Sequence, residues 1–374
     1  MIRLRVLACA GLAMSLLACA KNPFDDPDYA RVCAGLPVHT AEEREQAAVE
    51  GYTIDNRFDC VTRDSYDTIE RIKSEMAKTA AERRVRDLSQ PKPAATLSAA
   101  KQGFATKVSV PGSGAALPQP PADLFIRSDY ASDGRTLAAF VTPDPRDGEK
   151  HPAIVWLTGG DSSSLDDFWS AGSADNDQSA SAFREAGIVM MFPTLRGGNQ
   201  NAGAHEFFLG EVDDVIAAAN HLAKLGYVDP GQVYLGGHST GGTLALLAAE
   251  TTSRFAAVFA FGAVSAVDGY PDSLVPVNFS TLRRDELELR SPIHWLHGVS
   301  SPTWLIEGED SPGNRGELAK LCAEKTPRLQ CIAVPGRNHF SVLSPATRLI
   351  AARIFGAGAG RELRLDVADF AARR

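Results

Sequence analysis

Positive charge is in short supply in this sequence. Its 38 Lys and Arg residues stand against 46 Asp and Glu, a formal net charge of −8. A protein that grips nucleic acid non-specifically needs a basic footprint, so that partner class is excluded. Cysteine is scarce too: six in 374 residues are too few for a small scaffold held by disulfides, and no Cys-x-x-Cys pair suggests zinc. No His-x-x-x-His pair or carboxylate-rich run stands beside the serine motif discussed below, so no metal is expected. The apolar run Val6–Ala18 falls short of the ~20 residues that cross a bilayer. Glycine and proline show no collagen-like period, and no internal repeat is evident. What is present is ordinary for a folded enzyme or binding domain: 44% hydrophobic and 22% charged residues, enough for one large domain or two smaller ones.

The first residues set the expected compartment. Arg3 and Arg5 precede the uncharged run, which ends in Leu16-Leu17-Ala18-Cys19. A basic start, a short apolar core and small residues before a cleavage point describe an export signal. The end of the run resembles a bacterial lipobox, in which Cys19 becomes the lipidated first residue of the mature chain. With Ala20 rather than aspartate after the cysteine, the expectation is an outer-membrane lipoprotein facing the periplasm, anchored to the membrane through its N-terminal lipid. Ordinary cleavage after Ala20, giving a soluble periplasmic protein, is the alternative. Residues 1–19 are thus read as the signal. In an oxidising compartment the remaining Cys33, Cys60, Cys322 and Cys331 are expected to form two disulfides. Four cysteines allow three pairings; the local one is Cys33–Cys60 with Cys322–Cys331.

Residues 20–89 read as a small helical segment. Thr40 and Glu43 make a capping box, and Tyr66, Ile69, Ile72 and Met76 repeat at helical spacing. Residues 90–121 are rich in Pro, Ala, Ser and Gly and read as a linker. From residue 122 to 359, apolar runs alternate with helical stretches, the pattern of an α/β fold with a largely parallel sheet. Leu124–Ser128 and Thr136–Thr142 form an antiparallel pair about Asp133-Gly134. The parallel set is expected over Ala153–Leu157, Gly187–Phe192, Gln232–Leu235, Phe255–Phe261, Thr303–Ile306 and Leu329–Val334. Ala266–Gly298 is expected to cap a site, and 360–374 to be a tail.

Gly237-His238-Ser239-Thr240-Gly241 falls between a strand and a helix. Gly-x-Ser-x-Gly is a weak signal alone and a strong one there, because the glycines permit a tight turn that lifts the serine hydroxyl from the sheet edge. Ser239 is therefore the expected nucleophile. Of eight histidines, only His339 follows the final strand and leads into a C-terminal helix, the place for the general base. The orienting carboxylate should lie between the two in sequence, just past a strand end. Glu307, Glu309 and Asp310 qualify, and Asp310, farthest into the loop and short, is preferred. The amides of Thr240 and Gly160 are expected to receive the oxyanion.

The stretch 122–355 resembles an α/β-hydrolase, and more closely the catalytic domain of the prolyl oligopeptidase family. That likeness rests on Pro193-Thr194-Leu195-Arg196-Gly197-Gly198-Asn199, Asp213-Asp214-Val215-Ile216, Tyr227-Val228-Asp229-Pro230 and Gly236–Gly242. The resemblance implies a Ser–His–Asp serine hydrolase without metal or organic cofactor, acting on a small ester or a short peptide through an acyl-enzyme. Two features depart from the family. The residues ahead of the domain cannot build its β-propeller, and the usual His-Gly-x-x-Asp pattern reads Glu307-Gly308-Glu309-Asp310-Ser311, one residue short. A carboxylesterase or acyl thioesterase without peptidase activity is the alternative enzyme; a non-catalytic binding lipoprotein is the alternative of another class. Oligomeric state is not legible.

Overall fold

An eight-stranded, mostly parallel sheet carries the fold, its strands lying in the order Leu329–Val334, Thr303–Gly308, Val258–Phe261, Val228–His238, His151–Leu157, Val189–Pro193, Ala139–Val141 and Ile126–Arg127. The computed structural model describes residues 96–371, apart from 113, 280–281, 325 and 358–362. These belong to a unit spanning Pro93–Arg374. The expected signal region, Cys19, the 20–89 segment and the expected Cys33–Cys60 pair lie outside the described residues. The strands are β1 (Val110–Pro111), β2 (Ile126–Arg127), β3 (Tyr130–Ser132), β4 (Arg135–Leu137), β5 (Ala139–Val141), β6 (His151–Leu157), β7 (Val189–Pro193), β8 (Ala204–His205), β9 (Val228–His238), β10 (Val258–Phe261), β11 (Thr303–Gly308) and β12 (Leu329–Val334). The helices are α1 (Leu97–Lys101), α2 (Ala182–Glu185), α3 (Gly210–Leu222), α4 (Thr240–Thr251), α5 (Arg284–Glu288), α6 (Arg315–Cys322), α7 (Leu343–Ala357) and α8 (Val367–Ala371).

Side-chain alternation along the strands explains the layering. On β6, Ala153, Val155 and Leu157 face one layer with Val212, Val215 and Ala219 of α3 and Leu244 and Leu247 of α4. Ile154 and Trp156 face the other, with Phe183 of α2 and Leu343, Ala346 and Ile350 of α7. Both faces are covered, so the strands read as continuous apolar runs. The chain lays β7 on one side of β6 and then β9 on the other. That reversal opens a crevice at the carboxyl ends of β6 and β9, where open α/β sheets bind ligands.

Three expectations change in detail. The antiparallel partner of Ile126–Arg127 is β5, as expected, but Asp133-Gly134 turns a separate hairpin of β3 and β4. Both turn residues have positive φ, which suits a two-residue loop. The expected linker 90–121 is instead built into the body over its described residues. Thr96 caps α1 through its hydroxyl, Leu97 and Val108 are buried, and β1 pairs with β8. Its Pro/Ala composition concealed these two apolar anchors, together with the Lys101–Asp213 ion pair and the Thr106–Glu286 hydrogen bond. The expected tail likewise carries α8, with Leu365 buried and Arg353 paired to Asp369. Within the segment Ala266–Gly298, Val267, Tyr270, Leu289 and Trp295 join the α3/α4 core layer.

Candidate active site

The turn after β9 places Ser239 at the crevice. Ser239 occupies the N-cap position of α4 with φ 55° and ψ −116°, and its side chain makes no capping hydrogen bond. Serine at an N-cap ordinarily spends its hydroxyl on the helix; this backbone conformation, disfavoured for a residue with a Cβ, withholds it. Such a conformation costs on the order of 1–3 kcal/mol and persists where the surroundings enforce it. They do so here through bare glycines. A Cβ on Gly237 would stand 2.4 Å from the Gly241 oxygen, and one on Gly241 would stand 2.3 Å from the Leu157 oxygen. The Ser239 amide is fixed to the Phe261 carbonyl at 2.8 Å.

Thr240 and Gly160 are brought together. The Thr240 hydroxyl donates to the Gly160 carbonyl at 2.8 Å, binding the loop after β6 to the elbow. Gly160 has φ 79° and open space around its Cα, and Thr240, as the first residue of α4, has an amide with no acceptor within the helix. Amides at such a place attract negative charge.

His339 is buried in the turn between β12 and α7, and its Nδ1 lies 2.9 Å from Glu307 Oε2. The preference for Asp310 at this position is therefore corrected. Glu307 is buried in β11 and turned toward the histidine, whereas Asp310 is exposed. The loop bearing Asp310 meets the histidine loop through backbone instead. The Asp310 amide donates to the Arg337 carbonyl at 2.8 Å, and the His339 amide to the Pro312 carbonyl at 3.0 Å. Glu309 also donates its amide, to Val334. Neither is hydrogen-bonded to the imidazole.

Three residues that the sequence motifs did not mark complete the surroundings. The Glu307 carboxylate accepts the Gly308 amide at 2.8 Å on Oε1 and the Asn314 amide at 3.2 Å on Oε2. Asn314 donates its side-chain amide to the Gly262 carbonyl at 2.8 Å. Gly262, after β10, has φ 61°, and a Cβ there would fall 2.3 Å from His339 Cε1 and 3.1 Å from Glu307 Oε2. Gln178, before α2, bonds the Gly159 amide and the His238 ring. A glycine straight after a strand was the available signal for Gly262; for Asn314 and Gln178 there was none. His294 and His297 lie in short helical turns before β11. Among the described residues no group of three or more His, Cys, Asp or Glu is placed to hold a metal ion.

A parallel sheet reversing at β6, a strained strand–serine–helix turn and a histidine–carboxylate pair beyond later strands together define an α/β-hydrolase fold. Over residues 174–309 the chain matches the model of the prolyl oligopeptidase family. The fold is shared with puromycin hydrolase (19% identity, TM-score 0.52, 64% of this chain and 40% of that one). It is shared also with a puromycin-hydrolyzing peptidase of Mycobacterium tuberculosis (21%, 0.51, 66% and 41%). A third such structure is 2,6-dihydroxy-pseudo-oxynicotine hydrolase (16%, 0.50, 65% and 71%). The chain thus spans about two-fifths of the two puromycin-cleaving proteins. No curated protein matches the sequence significantly.

Proposed function

We propose that this protein is an exported serine hydrolase that cleaves a small ester or short peptide through an acyl-enzyme, with Ser239 as nucleophile, His339 as base and Glu307 as the orienting carboxylate. The observation that carries the reading is the pairing of a serine freed from helix capping with a buried His339–Glu307 hydrogen bond at the same end of the sheet. Glu307 accepts from Nδ1, so Nε2 is left unprotonated and able to take the Ser239 proton as Oγ bonds to the carbonyl carbon. The resulting imidazolium is stabilised by the Glu307 charge. It then returns the proton to the departing alcohol or amine, and water repeats the sequence to release the acid. Thr240 and Gly160 supply amides to the oxyanion; losing one such donor typically costs ~10²–10³ in kcat.

Export is supported by the basic and apolar start of the chain and by the Cys322–Cys331 disulfide, a bond that persists in oxidising compartments. In the same reading Cys19 carries the lipid. A fluorophosphonate probe tests the chemistry: wild-type protein becomes covalently labelled and Ser239→Ala does not, whereas equal labelling of both rejects the assignment. Matched p-nitrophenyl esters and aminoacyl amides then rank the two bond classes. Esters are expected to turn over faster, since their leaving groups need less help from the proton.

A further inference from the structure

His238 lies inside the elbow, is buried, and is committed on both ring nitrogens. Its Nε2 is 2.9 Å from the backbone oxygen of His339. A carbonyl oxygen only accepts, so Nε2 must carry a proton, and in the neutral ring Nδ1 is then bare. Nδ1 lies 2.8 Å from Gln178 Nε2, which can donate to it. The second Gln178 N–H goes to Asn176 Oδ1 at 2.8 Å, and Gln178 Oε1 accepts the Gly159 amide at 3.2 Å. The Gln178 backbone is fixed in turn by Trp156 Nε1, 2.9 Å from its carbonyl oxygen. With the imidazole neutral and protonated on Nε2, the shorter approach at Nδ1 is a hydrogen bond from Gln178 Nε2, while Gln178 Oε1, 3.2 Å from the same nitrogen, faces it as a second acceptor and is engaged by the Gly159 amide instead.

We propose that His238 and Gln178 are positioning residues that join the oxyanion loop at Gly159 to the backbone of the base, His339, holding the two halves of the catalytic site in register. This rests on the hydrolase reading above. The chain of bonds runs from Gly159 through Gln178 and His238 to His339, crossing three loops that are far apart in sequence. The Gly159 Cα is packed so closely that an added Cβ would stand 3.0 Å from His238 Nδ1 and 3.3 Å from the Ser239 Cβ. A displacement of His238 is therefore felt at the nucleophile as well. The two imidazoles lie with ring centroids 4.4 Å apart. A charged His238 would oppose the charge that His339 must acquire during the reaction. Burial, reinforced by the nearby His339, instead pushes the His238 pKa down to about 3. The connection thus stays neutral while His339 cycles, and geometry displaced by ~1 Å can cost ~10²-fold in rate.

The test is a double-mutant cycle on Gln178→Met and His238→Phe, two changes that keep volume and remove hydrogen bonds, with His238→Gln as a variant retaining a donor. Ester kcat and KM, the rate of fluorophosphonate labelling and the melting temperature are read for each. Each single change is expected to lower kcat and the labelling rate about tenfold or more with KM within about twofold. The double variant is expected to be no slower than the worse single one, because both break the same chain. His238→Gln should recover part of the His238→Phe loss. Additive losses, or unaltered kcat and labelling in a folded Gln178→Met protein, would overturn the proposal. If His238→Phe does not fold, Gln178→Met and His238→Gln decide the matter alone. A wild-type protein that neither labels nor hydrolyses any ester would reject the hydrolase reading itself, a result distinct from both.

Discussion

Replacing Glu307 by glutamine keeps the shape of the side chain and removes its charge, and the structure says what must then fail. In the native arrangement Oε2 faces two donors, His339 Nδ1 at 2.9 Å and the Asn314 amide at 3.2 Å, while Oε1 faces the Gly308 amide at 2.8 Å. Three donors converge on two acceptor atoms. An amide has one acceptor oxygen, so one side of this arrangement must set donor against donor. With its NH₂ toward His339, the imidazole can respond only by moving its proton to Nε2, the tautomer that cannot deprotonate Ser239. With the NH₂ toward Gly308, a buried backbone donor is stranded at ~1–3 kcal/mol. The wrong tautomer in a serine triad drops kcat by ~10⁴, equivalent to ~5.5 kcal/mol of barrier at ~1.4 kcal/mol per decade. We expect Glu307→Gln to lose ester turnover by ~10³–10⁴-fold with KM little changed. Asp310→Asn, altering an exposed carboxylate, should stay within about twofold of wild type. The assay is steady-state hydrolysis of a p-nitrophenyl ester, with a thermal melt to establish that each variant is folded. If Asp310→Asn proved as damaging as Glu307→Gln, or if Glu307→Gln kept more than about a tenth of wild-type kcat, the assignment would be refuted.

Gly262→Ala should reduce kcat by ~10²-fold or more while the protein still melts cooperatively, because the new methyl displaces the imidazole from 2.3 Å away; full activity would show that the histidine loop yields freely. Glu250→Leu should stabilise the protein at neutral pH, since both Glu250 oxygens are buried without a hydrogen-bond partner and burial holds its pKa well above the carboxylate range. The native carboxyl keeps its proton where the unfolded one, near pH 4.5, loses it. Its contribution is therefore full below pH ~4.5 and falls by ~1.4 kcal/mol per pH unit above that, so melting curves of the two proteins should diverge from pH 4 to 7 and parallel curves would count against the reading. Cys19→Ser should release the protein from membranes or leave it unprocessed, and mass spectrometry of the wild type should find lipid on Cys19; a mature chain starting at Lys21 would establish ordinary cleavage instead.

The strands were legible because both faces of this sheet are covered, so each reads as an apolar run regardless of alternation. Leu329–Val334 forms over the expected residues, and the other parallel strands agree to within a few positions at their ends. Composition misled where a few residues outweighed their neighbours. Between residues 96 and 121, prolines and small residues dominate, yet Leu97, Val108 and the ion pair of Lys101 suffice to seat the segment. The Asp133-Gly134 turn was visible as a turn; which strands it joined was not, because three-residue strands carry too little pattern to separate β3 and β4 from β5.

At the site, local geometry was readable and convergence was not. Ser239 and its glycines are contiguous, and the strain that exposes the hydroxyl is written in one short motif. The carboxylate depends instead on how two loops fit together. A carboxylate on a short side chain beyond the strand end was the expectation, and it would require the loop after β11 to fold its side chains over the histidine. This loop folds its backbone there: the amide of Asp310 and the carbonyl of Pro312 are both spent on the segment 337–339, which leaves the Asp310 carboxylate pointing to solvent. The position facing His339 then falls to the last side chain of β11 itself. Gly262 on the neighbouring strand end contributes the missing volume, since any side chain there would occupy the space of the imidazole. Against the family's His-Gly-x-x-Asp pattern, the carboxylate that meets His339 lies here within the strand, at Glu307, and the loop after it binds the histidine segment by its backbone.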